Sequence, residues 1–404
     1  MRRFLIETWG CQMNVHDSEK MAGILGPLGY EATADVNRAD LILLNTCSVR
    51  EKAAEKVFSR LGQLRGLKRL NPDLVIAVCG CVAQLEGETI FRRAPYVDLV
   101  MSTAARGAGP RAYVTVMEGC NKSCTYCIVP FTRGREVCRS AQEILAEVRD
   151  LVARGYPEIE FLGQNVNAYH HGTDELSSLL RMSDRIEGVR RLRFTTSHPG
   201  HLDHRTMDAM RDVPSVCNHL HLPAQSGSNR ILRLMKRGYT RERYLQKISY
   251  LRCNVPRIAF STDIIVGFPG ETEEDFTETV SLLRDVEFDQ VYAFAYSARP
   301  GTVAAGMTNA LPEALKQERL QSILTIQEEI QLRRNTALVG RSFEILLDGR
   351  PPKEGPGVRG RTTCNRIVHV PADASTPNTF LTVRITRAHA HSLSGEPLLG
   401  SRAA

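Results

Sequence analysis

Three cysteines within eight residues, Cys120, Cys124 and Cys127 in the run Glu118-Gly-Cys-Asn-Lys-Ser-Cys-Thr-Tyr-Cys, constrain this chain more than any other feature. With 11 cysteines among 404 residues, a C-x3-C-x2-C triple arises by chance in about one such chain in a hundred. Disulfides do not explain it. Met1-Arg2-Arg3 is followed by only Phe4-Leu5-Ile6 before Glu7, too short for a signal-peptide core, and no stretch approaches a membrane span. The expected location is therefore the cytoplasm, where thiols stay reduced and serve metals or catalysis. A tetrahedral zinc site wants four closing ligands, or three and a water. Three thiolates on one tight loop can instead each hold one iron of a 4Fe-4S cube and leave the fourth iron open, where the amino and carboxylate groups of S-adenosylmethionine can chelate it. A zinc loop borrowing a His or another Cys is the competing reading.

A second trio comes from a repeated pattern. Phe4-Leu-Ile precedes Cys11, Leu41-Ile-Leu-Leu precedes Cys47, and Leu74-Val-Ile-Ala-Val precedes Cys81. Each apolar run reads as a buried parallel strand, and helical patterns follow at Asp17 to Leu28, Ser48 to Leu64 and Gln84 to Arg93. Ligands of open α/β sheets sit beyond the carboxyl ends of the strands, so Cys11, Cys47 and Cys81 are expected to converge as a second three-thiolate site. The bland alternative makes each a small hydrophobe at a strand end. Cys79 competes with Cys81 but lies inside the apolar run, whereas Cys81 follows Gly80 in the turn.

The fold class expected is α/β in three parts. Residues 1–101 read as a small doubly wound domain, joined by the Ala/Gly/Arg-rich stretch Ser102 to Pro110. Residues 111–337 carry six strand candidates ending near Met117, Leu162, Thr196, Leu222, Ile265 and Tyr296. Helical stretches separate them at Ser140 to Arg154, Glu175 to Ile186, Asp203 to Arg211, Asn229 to Leu251 in one or two pieces, and Thr272 to Arg284. Six βα units are too few for a full eight-unit barrel, so an open, partial barrel is expected, followed by a bridging helix from Pro312 to Asn335. Its site belongs at the carboxyl strand ends, where Glu118, Gly163-Gln164-Asn165, Ser197-His198, Gln225, Thr262-Asp263 and Tyr296-Ser297 fall. Gly163, Gln164, Ser197, Gln225 and Asp263 are the candidates there for cofactor contact.

Residues 338–404 show short β runs between Gly/Pro-rich turns, which points to a small β-barrel. The chain's net charge is +7, and residues 333–404 hold 11 basic and 5 acidic residues, or +6. Arg359, Arg361, Arg366, Arg384 and Arg387 interleave with this β pattern and fit phosphate contacts on RNA, against a merely solvated basic face. A second basic cluster, Arg230, Arg233, Lys236 and Arg237, is the alternative place for RNA to dock.

These runs resemble the radical-SAM methylthiotransferases, and within them the tRNA-modifying MiaB branch. The resemblance rests on Thr8-Trp-Gly-Cys-Gln-Met-Asn, Asn45-Thr-Cys-Ser-Val-Arg-Glu, Gly80-Cys-Val-Ala-Gln, the Cys120 to Cys127 run continuing through Thr132-Arg-Gly-Arg-Glu, Leu162-Gly-Gln-Asn-Val-Asn, Thr195-Thr-Ser-His-Pro, Leu222-Pro-Ala-Gln-Ser-Gly-Ser and Ser261-Thr-Asp-Ile-Ile-Val-Gly-Phe-Pro-Gly-Glu-Thr. It covers nearly the whole chain. Gly360-Arg-Thr-Thr-Cys-Asn-Arg resembles the RNA-binding TRAM domain of that branch. The resemblance departs between Asp98 and Arg111, where family members usually carry a longer stretch.

The resemblance implies two 4Fe-4S clusters and S-adenosylmethionine. The cluster on Cys120, Cys124 and Cys127 would generate a 5′-deoxyadenosyl radical that takes hydrogen from C2 of a prenylated adenosine beside the anticodon. The cluster on Cys11, Cys47 and Cys81 would present the methylated sulfur. A C–H bond with no acidic proton offers nothing to a general base, which is why radical chemistry is needed. The implied partners are tRNA and a flavodoxin-type electron donor, with no membrane and a monomeric chain. Two rivals stay open: methylthiolation of threonylcarbamoyladenosine in tRNA, and a non-catalytic iron-sulfur protein that binds RNA.

Overall fold

The apolar runs of the first hundred residues pair as one parallel sheet. Its strands are β1 (Arg2–Trp9), β2 (Tyr30–Ala32), β3 (Leu41–Thr46), β4 (Val75–Cys79) and β5 (Leu99–Met101), in the order β2-β1-β3-β4-β5. Helix α1 (Gln12–Leu25) sets Met21 against Phe4, Leu41 and Leu43 on one face. Helix α2 (Ala53–Leu70) sets Val57, Leu61 and Leu64 against Ile42, Leu44, Ile76 and Val78 on the other. Both faces are covered, as a doubly wound sheet requires. The strand order reverses direction between β1 and β3, which is where such sheets open a crevice.

The computed structural model describes residues 2–9, 12–46, 53–80, 83, 89–101, 110–348, 357–371 and 379–402. These divide into two units, residues 1–108 with 128–134, and residues 109–127 with 135–404. The first helix starts at Gln12, five residues before the expected Asp17, and of the expected helix Gln84 to Arg93 residues 89–93 are described and are helical.

In the second unit six parallel strands follow chain order: β6 (Arg111–Thr115), β7 (Glu158–Leu162), β8 (Arg191–Thr195), β9 (His219–His221), β10 (Ala259–Val266) and β11 (Gln290–Ala295). Pairing is regular within β6 to β8 and within β9 to β11, and a parallel bridge from Leu192 to Val216 joins the halves. The intervening helices start at sequence-encoded caps. Ser140 and Glu143 form a capping box on Ala141–Ala153, Thr272 and Asp275 another on Glu273–Val286, and the Asp203 carboxylate accepts from the Thr206 N–H.

Alternate residues of these strands have opposite fates. Val114, Ile159, Phe161, Leu192, Phe194, Phe260 and Ile264 join the core that the helices cover. The other face, toward the barrel interior, carries charge. Arg111 bridges Glu158 and Glu160 at 2.5 Å each, and Arg193 meets Glu158 at 2.9 Å. Three arginines hold the Glu158 carboxyl down at about 2, although burial alone would push it up.

The bridging helix runs Glu313–Thr336 and leads into a closed five-stranded barrel of β12 (Ser342–Leu347), β13 (Val358–Thr362), β14 (Ile367–Val370), β15 (Phe380–Ala388) and β16 (Leu393–Arg402). Ile345, Leu347, Val368, Val383, Ile385 and Leu393 fill it. This small barrel docks under the amino ends of the six strands. Arg191 donates to the carbonyls of Arg361 and Glu344 at 2.9 and 3.0 Å, and Arg193 to those of Thr363 and Thr362 at 2.9 and 2.8 Å. Arg366 pairs with Asp289, and Asn335 donates to the carbonyl of His389 at 2.8 Å.

Candidate active site

The cysteine loop leaves the end of β6 and is anchored at several points. Gly119, at φ 78°, donates its N–H to Gln164 Oε1 at 2.5 Å, so the side chain following β7 holds the loop's first residue. At the far side Thr125 donates its N–H to the Met235 carbonyl at 3.1 Å and its hydroxyl to the Leu234 carbonyl at 2.9 Å, while its own carbonyl accepts from Ala304 at 2.8 Å. The turn that presents those two carbonyls follows the short helix Asn229–Leu234 and depends on Lys236 at φ 53°.

All three thiols are half-buried. Among the described residues no three His, Cys, Asp or Glu side chains form a ready-made metal cage. The donor set nevertheless fits an iron-sulfur cluster. Cys120 Sγ accepts from the Lys122 N–H at 3.5 Å and Cys124 Sγ from an Arg237 N–H at 3.4 Å, the kind of bond that cluster thiolates receive. Burial pushes the Cys120 thiol up, so the free loop keeps that proton and metal binding would displace it.

Around the loop the carboxyl strand ends carry buried polar atoms with no partner among the described residues: Asn165 Oδ1, Ser197 Oγ, His198 Nε2 and Tyr296 Oη. At the mouth of a partial barrel such atoms are free to bond a ligand. His198 Nδ1 accepts from the Gly200 N–H at 3.0 Å, which puts the ring proton on Nε2. Burial, then the charges of Arg237 and Lys122, push its pKa down to about 2, so it stays a neutral donor. Two non-glycine residues here take left-handed backbone, Thr196 at φ 73° and Gln225 at φ 68°, and such strain of roughly 1–3 kcal/mol gathers at binding sites.

The five residues expected to touch cofactor divide by environment. Ser197 is buried with its hydroxyl unused, and Gln225 extends the ladder of β10 through its backbone. Gln164 serves the loop. A Cβ on Gly163 would lie 2.5 Å from Met117 Cγ, so that glycine is required by packing. Asp263 faces the interior, 3.5 Å from His221 Nε2 and paired in register with Tyr292. Asn165 and His198 belong to the strand-end runs named from sequence, but Arg237 was placed among candidate RNA contacts. No pattern in Met235-Lys-Arg-Gly marks one of its two cations as buried.

Cys11, Cys47 and Cys81 lie outside the described residues. The strands that lead to them end side by side, with Trp9 opposite Thr46 and Asn45 opposite Cys79. A buried amide network backs these ends: Asn14 Nδ2 donates to Asn45 Oδ1 at 3.1 Å, and Asn45 Nδ2 donates to the Asn14 carbonyl at 2.7 Å. Gly80, at φ 88°, fits only without a side chain, since a Cβ would meet Asn45 Oδ1 at 2.5 Å. Cys79 itself is wholly buried.

Comparison with known proteins gives the site its family. The Radical SAM superfamily model matches residues 114–283, and the Uncharacterized protein family UPF0004 model matches residues 3–102. A tRNA-2-methylthio-N(6)-dimethylallyladenosine synthase from Thermoanaerobacter sp. (strain X514) is 43% identical over 431 positions, covering 97% of this chain and 92% of the relative. The enzyme of that name from Geotalea uraniireducens (strain Rf4) is 44% identical, covering 97% and 98%. Among solved structures, the radical S-adenosylmethionine methyltransferase TsrM from Kitasatospora setae, with cobalamin and a 4Fe-4S cluster bound, superposes with a TM-score of 0.54 at 13% identity, over 76% of this chain and 77% of that one, a likeness of fold. The chain belongs to the radical-SAM family of tRNA-2-methylthio-N(6)-dimethylallyladenosine synthases.

Proposed function

We propose that this chain methylthiolates C2 of N6-isopentenyladenosine next to the anticodon of tRNA, giving 2-methylthio-N6-isopentenyladenosine. The observation that carries the site assignment is the clamped cysteine loop, with two sulfurs already accepting N–H bonds beneath a rim of unpartnered polar atoms. Cys120, Cys124 and Cys127 hold one 4Fe-4S cluster and Cys11, Cys47 and Cys81 the other. When bound, the clusters and S-adenosylmethionine supply the radical and the sulfur group. The chain's own residues bind and orient. Ser197, His198 and Asn165 offer hydrogen bonds to the cofactor, with the backbone at Gln225 beside it, while Gly163 keeps the strand end packed and Gln164 fixes the loop. The juxtaposition of the β1, β3 and β4 ends supports the second trio.

The interior wall supports the prenylated substrate. Phe294 is 41% exposed and pairs in register with Ile265, which offers an apolar chain a surface, while the nearby Asp263 carboxylate repels the carboxylate of a threonylcarbamoyl group. Exposed Arg384 and Arg387 face outward on β15 and are the phosphate contacts we assign on a TRAM-like barrel. No helix among the described residues is long and apolar enough to cross a membrane. We further infer that the enzyme works in the cytoplasm as a monomer and takes electrons from a flavodoxin-type donor.

Nucleoside analysis of tRNA from a deletion strain tests the reading. Loss of 2-methylthio-N6-isopentenyladenosine, restored by the gene, is expected; an unchanged level rejects it. Cys124→Ala should abolish 5′-deoxyadenosine formation with dithionite, whereas Cys47→Ala should keep that cleavage and lose sulfur insertion. Full methylthiolation by either variant would remove that cysteine from the assignment.

A further inference from the structure

We propose that Arg237 is a positioning residue for the cluster on the 120–127 loop, holding Cys124 Sγ by a hydrogen bond and supplying the positive charge that favours the reduced cluster. The proposal rests on Cys124 being a cluster ligand. Four arginines among the described residues are more than nine-tenths buried: Arg191, Arg193, Arg237 and Arg319. Three of them sit against glutamates. Arg191 and Arg193 meet Glu158 at 3.5 and 2.9 Å, and Arg319 meets Glu271 at 2.7 Å. Arg237 alone has no carboxylate partner among the described residues.

Its guanidinium donates instead to Tyr239 Oη at 3.2 Å, to the Pro223 carbonyl at 3.1 Å and to Cys124 Sγ at 3.4 Å. Its charge also lies over the Tyr239 ring, 5.4 Å from the centroid. Neither a phenol hydroxyl nor a backbone carbonyl supplies an anion. A buried cation with only neutral partners costs several kcal/mol, and sulfur is the one atom in its shell that becomes negative when metal binds.

Charge gives the direction of the effect. Three thiolates outweigh the two positive charges of an oxidised cluster core by one unit, and one-electron reduction adds a second negative unit. A fixed cation and an N–H bond to a ligand sulfur therefore stabilise the reduced form more than the oxidised one, and raise the potential. The fold secures the geometry: Arg237 follows the left-handed Lys236 directly after the two carbonyls that hold Thr125, so loop and guanidinium share one clamp.

The test is a redox titration of anaerobically reconstituted full-length protein, followed by electron paramagnetic resonance and with iron and sulfide counted first. Arg237→Gln should load the cluster yet titrate more negatively. At the poise where the wild-type cluster is half reduced, the ratio of reduced to oxidised should fall at least tenfold, about 59 mV for one electron. The other cluster, seen alone in a Cys120/Cys124/Cys127→Ala variant, serves as the reference that should not move. If Arg237→Gln fails to load, Arg237→Lys decides, since it keeps charge and loses the fork and should show a smaller negative shift. A loaded Arg237 variant with the wild-type midpoint overturns the proposal, as does a weaker affinity for S-adenosylmethionine with no change in potential. Retention in Cys124→Ala of the signal that the Cys120/Cys124/Cys127→Ala variant loses would instead show that the ligand assignment had failed.

Discussion

Gly163 and Gln164 are adjacent but support the site in different ways, one by its size and the other by a hydrogen bond. Gly163→Ala forces a Cβ against Met117 Cγ in a buried position, which should cost about 1–3 kcal/mol of stability. The folded fraction should still cleave S-adenosylmethionine, so thermal melting falls while activity per folded, iron-loaded molecule holds. A loss of activity without a loss of stability would make the glycine a cofactor contact. Gln164→Ala removes the anchor of Gly119, worth about 1 kcal/mol, and should lower iron retention several-fold on dialysis against chelator while leaving the melting curve nearly unchanged. Both residues could be named from sequence because they sit past a recognisable strand. Arg237 could not be assigned to the loop, since it is 113 residues from Cys124 and only the tertiary fold brings them together.

Elements were legible wherever an apolar period and a cap agreed. Ser140, Asp203 and Thr272 each begin a helix within a residue of the expected position because a side-chain oxygen accepts from the first turn. What the strands do with their other face was not legible. Glu158-Ile-Glu-Phe-Leu and Arg191-Leu-Arg-Phe-Thr alternate charge with apolar residues as a solvent-facing strand would, yet Glu158, Glu160, Arg191 and Arg193 are buried inside the partial barrel. Pattern distinguishes two faces and does not tell water from an ion-paired interior. A pH test follows. The Glu158 carboxyl is depressed from its ordinary 4.5 to about 2, so its contribution is complete above pH 4.5 and lost as pH falls toward about 2. At about 1.4 kcal/mol per pKa unit this is about 3 kcal/mol. The stability gap between wild type and Glu158→Gln, measured by urea unfolding followed by circular dichroism, should be constant from pH 7 to 5 and close by about that amount below it. A gap that stays constant down to pH 3 would mean that the arginines do not hold the carboxylate.

At the scale of the whole molecule, the carboxyl-terminal barrel is joined to the six-stranded barrel by buried polar contacts, and this changes how its basic residues are read. Of the five arginines that interleave with its strands, Arg359 is paired with Asp348 at 2.8 Å and Arg366 with Asp289, while burial beside Arg111 and Arg359 pushes Arg361 down to about 10. Only Arg384 and Arg387 are exposed. Removal of residues 338–404 would strip Arg191 and Arg193 of their carbonyl acceptors and open the Glu158 cluster to water, at about 1–3 kcal/mol for each lost bond to a charged donor. The truncated chain should therefore lose cooperative unfolding, and weaker RNA binding by it would say nothing about phosphate contacts. The double variant Arg384→Ala/Arg387→Ala separates the two roles. It should melt with the wild type, bind tRNA more weakly, and show a dependence of log affinity on log salt that is shallower by about 1.5, the release expected for two phosphate contacts. An unchanged slope in a protein of unchanged stability would move the RNA contact to the exposed cations Arg233 and Lys236 beside the cysteine loop, and the small barrel would then act as a brace for the larger one.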